Sequence, residues 1–108
     1  GQRLAVSLSR DGNPEIYLLT VDSGALTRLT NSSAINTEPA WMPDGNSLLF
    51  TSNRGGGPQL YRISARGGRP TRVTFEGDYN AAASISPDGS RVAMVHRQAG
   101  AYKIAVMD

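Results

Sequence analysis

Apolar residues in this chain come in short runs, and none of the runs is long. "RLAVSL" (3–8), "EIYLL" (15–19), "SLLF" (47–50), "RVAMV" (91–95) and "KIAVM" (103–107) are each closed off by Gly, Pro, Asp or Asn. From Glu38 onward four extended runs follow one another, at 38–42, 47–53, 59–64 and 70–74, here termed A, B, C and D. Pro43-Asp44-Gly45 separates A from B. Pro presets φ, Asp can bond the backbone ahead of it, and Gly accepts φ > 0, so the triplet predicts a tight turn. Gly55-Gly56-Gly57-Pro58 predicts the next turn and Gly67-Gly68 the one after. Nothing recurs at helical spacing, so the reading expects strands and no helix longer than one turn.

The pattern then repeats. With Gly1 set against Gly45 and Gly89, Leu4 meets Leu48, Pro14 meets Pro58, Tyr17 meets Tyr61, and Thr27-Arg28-Leu29-Thr30 meets Thr71-Arg72-Val73-Thr74. Asn36 meets Asn80, and Pro43-Asp44 meets Pro87-Asp88; 13 of the 44 gap-free positions are identical. Four short strands in ~40–45 residues is the length of a β-propeller blade. The B and C runs are apolar at consecutive positions rather than alternating, which suits strands covered on both faces by neighbouring blades. A β-sandwich also uses short strands and turns, but it needs no gap-free period.

The expected fold class is therefore all-β: a β-propeller fragment of about two and a half four-stranded antiparallel blades. The chain reads B-C-D over 1–30, a complete blade over 37–74, and A-B-C over 81–108, ten strands in all. A ring needs ~4–8 blades to close. The reading thus expects an excerpt of a longer chain, or failing that an assembly of copies that covers the bare end faces.

Composition narrows the chemistry. Apolar residues make up 39% and charged residues 19%, which is globular composition, and no run approaches the ~20 residues of a membrane helix. Cysteine is absent, which removes disulfides and thiolate chemistry. Ten of the eleven basic residues are Arg, and Arg62, Arg66, Arg69 and Arg72 gather on runs C and D. Acidic residues are interspersed and aromatics are few, so a solvated rim fits better than a nucleic-acid surface. His96 stands alone in a strand, without a second His to complete a metal pair and without a G-x-S-x-G elbow. It reads as a packed or solvated residue. The turn from Asp11 to Glu15 carries two carboxylates but lacks the ligand spacing of a calcium loop, so it reads as a plain turn, and no metal or cofactor is expected.

Antiparallel strands place alternate connections on opposite faces. The A–B and C–D turns share one face and are short. The D–A loops, "NSSAINT" (31–37) and "FEGDYNA" (75–81), lie on the other face with the B–C turns and are longer and more individual. Binding groups usually sit on such loops. Thr37, Glu38, Phe75, Glu76 and Tyr79 differ from their repeat counterparts, so local structure does not dictate them. Asn36 and Asn80 recur, which equally fits turn residues that bond their own backbone. Trp41, whose counterpart is Ile85, is expected to pack between blades.

"PAWMPDGNSLLFTSNRGGGPQLYRISARGGRPTRVTFEG" resembles the repeats of the TolB family, periplasmic propeller proteins of the Gram-negative Tol–Pal system. "SRDGNPEIYLLTVDSGALTRLT", "NTEPAW" and "GDYNAAASISPDG" carry the same likeness, which extends over the whole chain. It departs at Ala105, where Tyr17 and Tyr61 stand, and at Ile85. The resemblance implies a six-bladed parent with an N-terminal α/β domain, and a non-enzymatic role in outer-membrane integrity and division. It implies binding of the lipoprotein Pal on the face of the D–A loops, contact with TolA through the N-terminal region, and capture by colicin translocation domains that mimic Pal. Carried onto this chain, the candidate partner-binding residues are Asn36, Thr37, Glu38, Tyr79, Asn80 and Ala81. Calcium is associated with the family's channel, though these residues do not call for it. The alternative is a propeller that gates a prolyl-oligopeptidase-type serine peptidase, because such propellers share the Pro-Asp-Gly turn.

Overall fold

The computed structural model describes residues 2–10 and 12–108. Among these residues there are ten strands and no helix. They are β1 (Arg3–Leu8), β2 (Glu15–Thr20), β3 (Leu26–Arg28), β4 (Asn36–Trp41), β5 (Ser47–Ser52), β6 (Gln59–Ser64), β7 (Thr71–Arg72), β8 (Tyr79–Ile85), β9 (Val92–Gln98) and β10 (Ala101–Met107). They form three antiparallel sheets in simple sequential order, β1-β2-β3, β4-β5-β6-β7 and β8-β9-β10. Each sheet is one blade, complete only in the middle.

The doubled apolar pattern has a direct structural cause. All six residues of β5 are buried. Leu48 and Phe50 point to the first blade and, with Tyr61 and Ile63 of their own blade, pack against its Ile16, Leu18 and Leu29. Leu49 points the other way and joins Leu60, Val92 and Met94. Successive side chains of a strand leave by opposite faces, so a strand sandwiched between two blades has no wet face. Trp41 packs against the first cluster, with the Arg3 guanidinium 5.4 Å from its ring centre.

The outermost strands are shorter than the D runs suggest. At the end of β3, Leu29 still donates its backbone N–H to Ile16, but the next ladder position is taken by a side chain, the Thr30 hydroxyl accepting from the Ile16 N–H at 2.9 Å. At the end of β7, Val73 bonds Leu60 and Thr74 Oγ1 accepts from the Leu60 N–H at 3.0 Å. The threonine satisfies the neighbouring strand while its own backbone turns away towards the next blade.

The inner strands are bulged at matching positions. Register slips between Thr37 and Ala40 in β4 and between Ala81 and Ser84 in β8. Glu38 and Ala82, one period apart, sit at these bulges in the left-handed region, with φ 56° and 58°. An extra residue in one strand of a pair re-aims the side chains around it.

Candidate partner-binding face

Loops and turns assemble as the topology requires. The start of each inner strand lies against the B–C turn of the preceding blade: Asn36 N–H donates to the Pro14 carbonyl at 3.1 Å and Asn80 N–H to the Pro58 carbonyl at 2.9 Å. Loops 31–35 and 75–78 therefore share one end of the blades with the B–C turns.

Beneath each loop lies a buried polar clasp. At the first junction its centre is Glu15, 1% exposed. One carboxylate oxygen accepts from the Thr30 hydroxyl and from Asn36 Nδ2 (2.9 Å). The other accepts from the Ser32 backbone N–H (3.0 Å) and from Arg28 (3.0 Å). Asn13 Nδ2 donates to the carbonyls of Ser32 (3.0 Å) and Ala34 (2.7 Å) and so pins the loop from the side. Asn36 Oδ1 accepts from Arg54 at 2.7 Å, and this guanidinium lies 5.5 Å from the Phe50 ring centre and 5.1 Å from that of Tyr61, two rings that themselves stack 6.0 Å apart. Burial pushes the Glu15 carboxyl up, but Thr30, the Ser32 N–H, Arg28 and Asn13 together pull it below its ordinary value.

The second junction repeats the plan with an amide. Gln59 Oε1 accepts from Thr74 Oγ1 (2.7 Å) and Asn80 Nδ2 (2.8 Å), and its Nε2 donates to the Gly77 carbonyl (3.2 Å). Asn80 Nδ2 also donates to the Glu76 carbonyl (2.8 Å). Both donors of that amide are thus directed, and its oxygen faces His96 Nδ1 at 2.6 Å. His96 must carry its proton on Nδ1 to complete this bond. The only histidine of the chain is a buried part of the clasp, which the sequence reading left open between packed and solvated. Gly77 lies so close to it that an added Cβ would stand 2.5 Å from the ring.

Burial divides the six candidate residues. Asn36, Asn80 and Ala81 are 0%, 2% and 3% exposed, and the two asparagine side chains are occupied within the clasps. Thr37 is half-buried, Glu38 is exposed, and the Glu38 carboxylate has no hydrogen bond or ion pair with any described residue. Tyr79 is half-buried and packs edge-on against Tyr102, with ring centres 5.3 Å apart. Arg97, cross-strand neighbour of both tyrosines, pairs with Asp78 at 2.8 Å and holds its carboxyl below the ordinary value. Asp11 lies outside the described residues. Among the described residues no group of three or more His, Cys, Asp or Glu could hold a metal ion.

Sequence reasoning missed Glu15, Gln59, Thr30 and Thr74 as the frame of these loops. The signal was present in the repeat: Thr30 and Thr74 are identical, and positions 15 and 59 both carry a planar acid or amide directly after a proline. The junctions also differ. Ala105 stands where Tyr61 fills the first junction, and between the second and third blades a groove of about 530 Å³ opens, lined by Met94, His96, Gln98, Lys103 and Ala105 among others.

The family profile described as "TolB beta propeller domain" matches residues 1–108. The chain belongs to the TolB β-propeller family. It superposes over its whole length on the crystal structure of TolB from Acinetobacter baumannii, with 43% identity and a TM-score of 0.92, and covers 27% of that chain. A putative TolB from Agrobacterium tumefaciens gives the same TM-score at 29% identity, with 42% of that chain covered. The crystal structure of the tricorn protease, at 20% identity and a TM-score of 0.62 over 86% of this chain and 8% of that one, shares the fold alone. Among curated relatives, a TolB homolog from Chlorobium luteolum is 41% identical over 51 residues, 47% of this chain and 12% of the relative. The "Tol-Pal system protein TolB" of Desulfosudis oleivorans is 42% identical over 50 residues, 46% of this chain and 11% of the relative. The chain thus spans a small part of the TolB proteins it matches. No helix among the described residues is long and apolar enough to cross a membrane.

Proposed function

We propose that this chain is part of a periplasmic protein-binding scaffold of the Tol–Pal cell-envelope system, and that it recognises the lipoprotein Pal through the face of the D–A loops. The observation that carries the reading is the pairing of the TolB family match with the placement of Thr37 and Glu38. They open an inner strand at the loop-bearing end, on a bulge that leaves the Glu38 carboxylate exposed and unpaired. Thr37, Glu38 and Tyr79 make the contact, and Asn36, Asn80 and Ala81 support it from below. The scaffold role is binding, with no catalytic step; TolA and colicin translocation domains are further partners of the intact protein. The channel needs no calcium for this contact.

Titration calorimetry of the intact protein with purified Pal tests the proposal. Saturable binding that competes with a colicin translocation peptide is expected. The absence of binding under conditions where both proteins are folded would contradict it.

A further inference from the structure

The two clasps differ at the residue that opens strand C, and that difference matches the loop each one holds. The first loop turns a backbone N–H, that of Ser32, towards the clasp, and residue 15 is a carboxylate, which only accepts. The second loop turns a carbonyl, that of Gly77, towards the clasp, and residue 59 is an amide, which can donate. Two partners recur, Thr30 with Thr74 and Asn36 with Asn80, while the further donors on Glu15, Arg28 and Asn13, have no counterpart on Gln59. The acid and the amide are therefore not interchangeable. Gln at position 15 would set an NH₂ group against the three donors that now converge on one carboxylate oxygen, from Asn13, Arg28 and Ser32.

We propose that Glu15 and Gln59 are positioning residues for partner recognition, each reading the backbone of its own D–A loop and thereby fixing the inner strand that carries the contact residues. The chain of contacts is short. Glu15 holds Ser32 and Asn36, and Asn36 immediately precedes Thr37 and the left-handed Glu38. The Asn36 carbonyl is held in turn by the Ser7 hydroxyl at 3.0 Å. A left-handed non-glycine residue persists only where its surroundings over-determine it, and the clasp supplies that constraint on the loop side of the bulge. Neither Glu15 nor Gln59 is at the surface, so neither touches the partner.

This inference rests on the proposed Pal face, and its test separates the two. In the intact protein, Glu15→Gln keeps side-chain shape and removes one acceptor. Ile63→Val, in the same inter-blade cluster but outside the clasp, serves as a stability control, with Ile63→Ala where a larger fall in Tm must be matched. All affinities for Pal are measured well below each variant's Tm. Glu15→Gln should weaken Pal by about tenfold, the scale of one buried group left unpaired, while the control of equal Tm stays within about twofold, ~0.4 kcal/mol. A purely structural clasp predicts equal affinities for the two at equal Tm, and that result would overturn the proposal. If Glu15→Gln does not fold, Asn13→Ala, which unpins Ser32 and Ala34 with the carboxylate still seated, replaces it under the same criteria. Thr37→Arg is run alongside: native affinity in that variant refutes the Pal face itself, whereas a loss there with native affinity in Glu15→Gln refutes the positioning role alone.

Discussion

Asn36 and Asn80 make the same reach one period apart: Nδ2 of each donates to the residue that opens strand C of the preceding blade, Glu15 at 2.9 Å and Gln59 at 2.8 Å. This bond crosses from one blade to the next under the loops and links what the apolar clusters pack together. Removing it should be costly because both ends are buried. Asn36→Ala leaves Arg54 Nη2 without its acceptor and Glu15 without one donor, and should destabilise by ~1–3 kcal/mol. Urea unfolding of the intact protein measures it, and an unchanged midpoint would refute the clasp as a stabilising contact.

Two glycines with the same backbone hand should respond differently to alanine. Gly24 (φ 74°) faces open space, so Gly24→Ala should cost only the left-handed strain of ~1–2 kcal/mol. Gly77 (φ 79°) has the His96 ring and the Arg97 carbonyl within 2.6 Å of a new Cβ. Gly77→Ala should cost at least ~2 kcal/mol more through overpacking. Thermal melts of both variants decide it, and equal shifts would mean that the loop does not press on His96 as described.

Glu38 offers the reverse case, a substitution expected to help stability and harm function. Its φ of 56° is costly for any residue with a side chain. Glu38→Gly should leave the fold as stable or up to ~1 kcal/mol more stable, while Pal binding weakens. A stability loss would show that the carboxylate serves the fold.

Acid should release the clasp in a defined direction. Hydrogen bonds hold the Glu15 carboxyl below its ordinary value. A depressed carboxylate contributes stability that is present above its unfolded pKa and is lost as pH falls through the folded one. Stability should therefore decline on the acid side, and Glu15→Gln, less stable at neutral pH, should show a flatter acid limb. The turn at Asp88 is a separate marker: Ser90 N–H and the Ser90 and Ser86 hydroxyls hold its carboxyl at about 2. An NMR titration should find that midpoint in the folded protein, and an ordinary midpoint would contradict the turn geometry.

The architecture was legible because a propeller blade writes itself into the sequence repeatedly. Pro-Asp-Gly, the glycine pairs and the doubly apolar B and C runs each have a single-strand cause, so ten strands in blade order could be read without any partner in view. The site was legible only in outline. The repeat and the loop lengths set the end of the blades with the longer loops apart from the other, but Asn36, Asn80 and Ala81 could not be separated from Thr37, Glu38 and Tyr79, because burial depends on which blade lies against which. Glu15, 21 residues from Asn36, was read as part of a turn for the same reason: a carboxylate after proline signals nothing until Thr30, Ser32 and Arg28 fold over it. The bulges at Glu38 and Ala82 left no mark in sequence, since neither residue favours φ > 0.

The central claim, that the face of the D–A loops is the Pal site, is tested most directly by calorimetric titration of Pal against two arginine variants of the intact protein. Thr37→Arg places a bulky charge at the half-buried contact position, and Ala25→Arg places the same charge on the exposed C–D turn at the opposite end of the blades. Thr37→Arg should weaken Pal by at least tenfold, about 1.4 kcal/mol, with Ala25→Arg indistinguishable from the native protein. Equal losses in both variants, or a loss confined to Ala25→Arg, would contradict the assignment of the face.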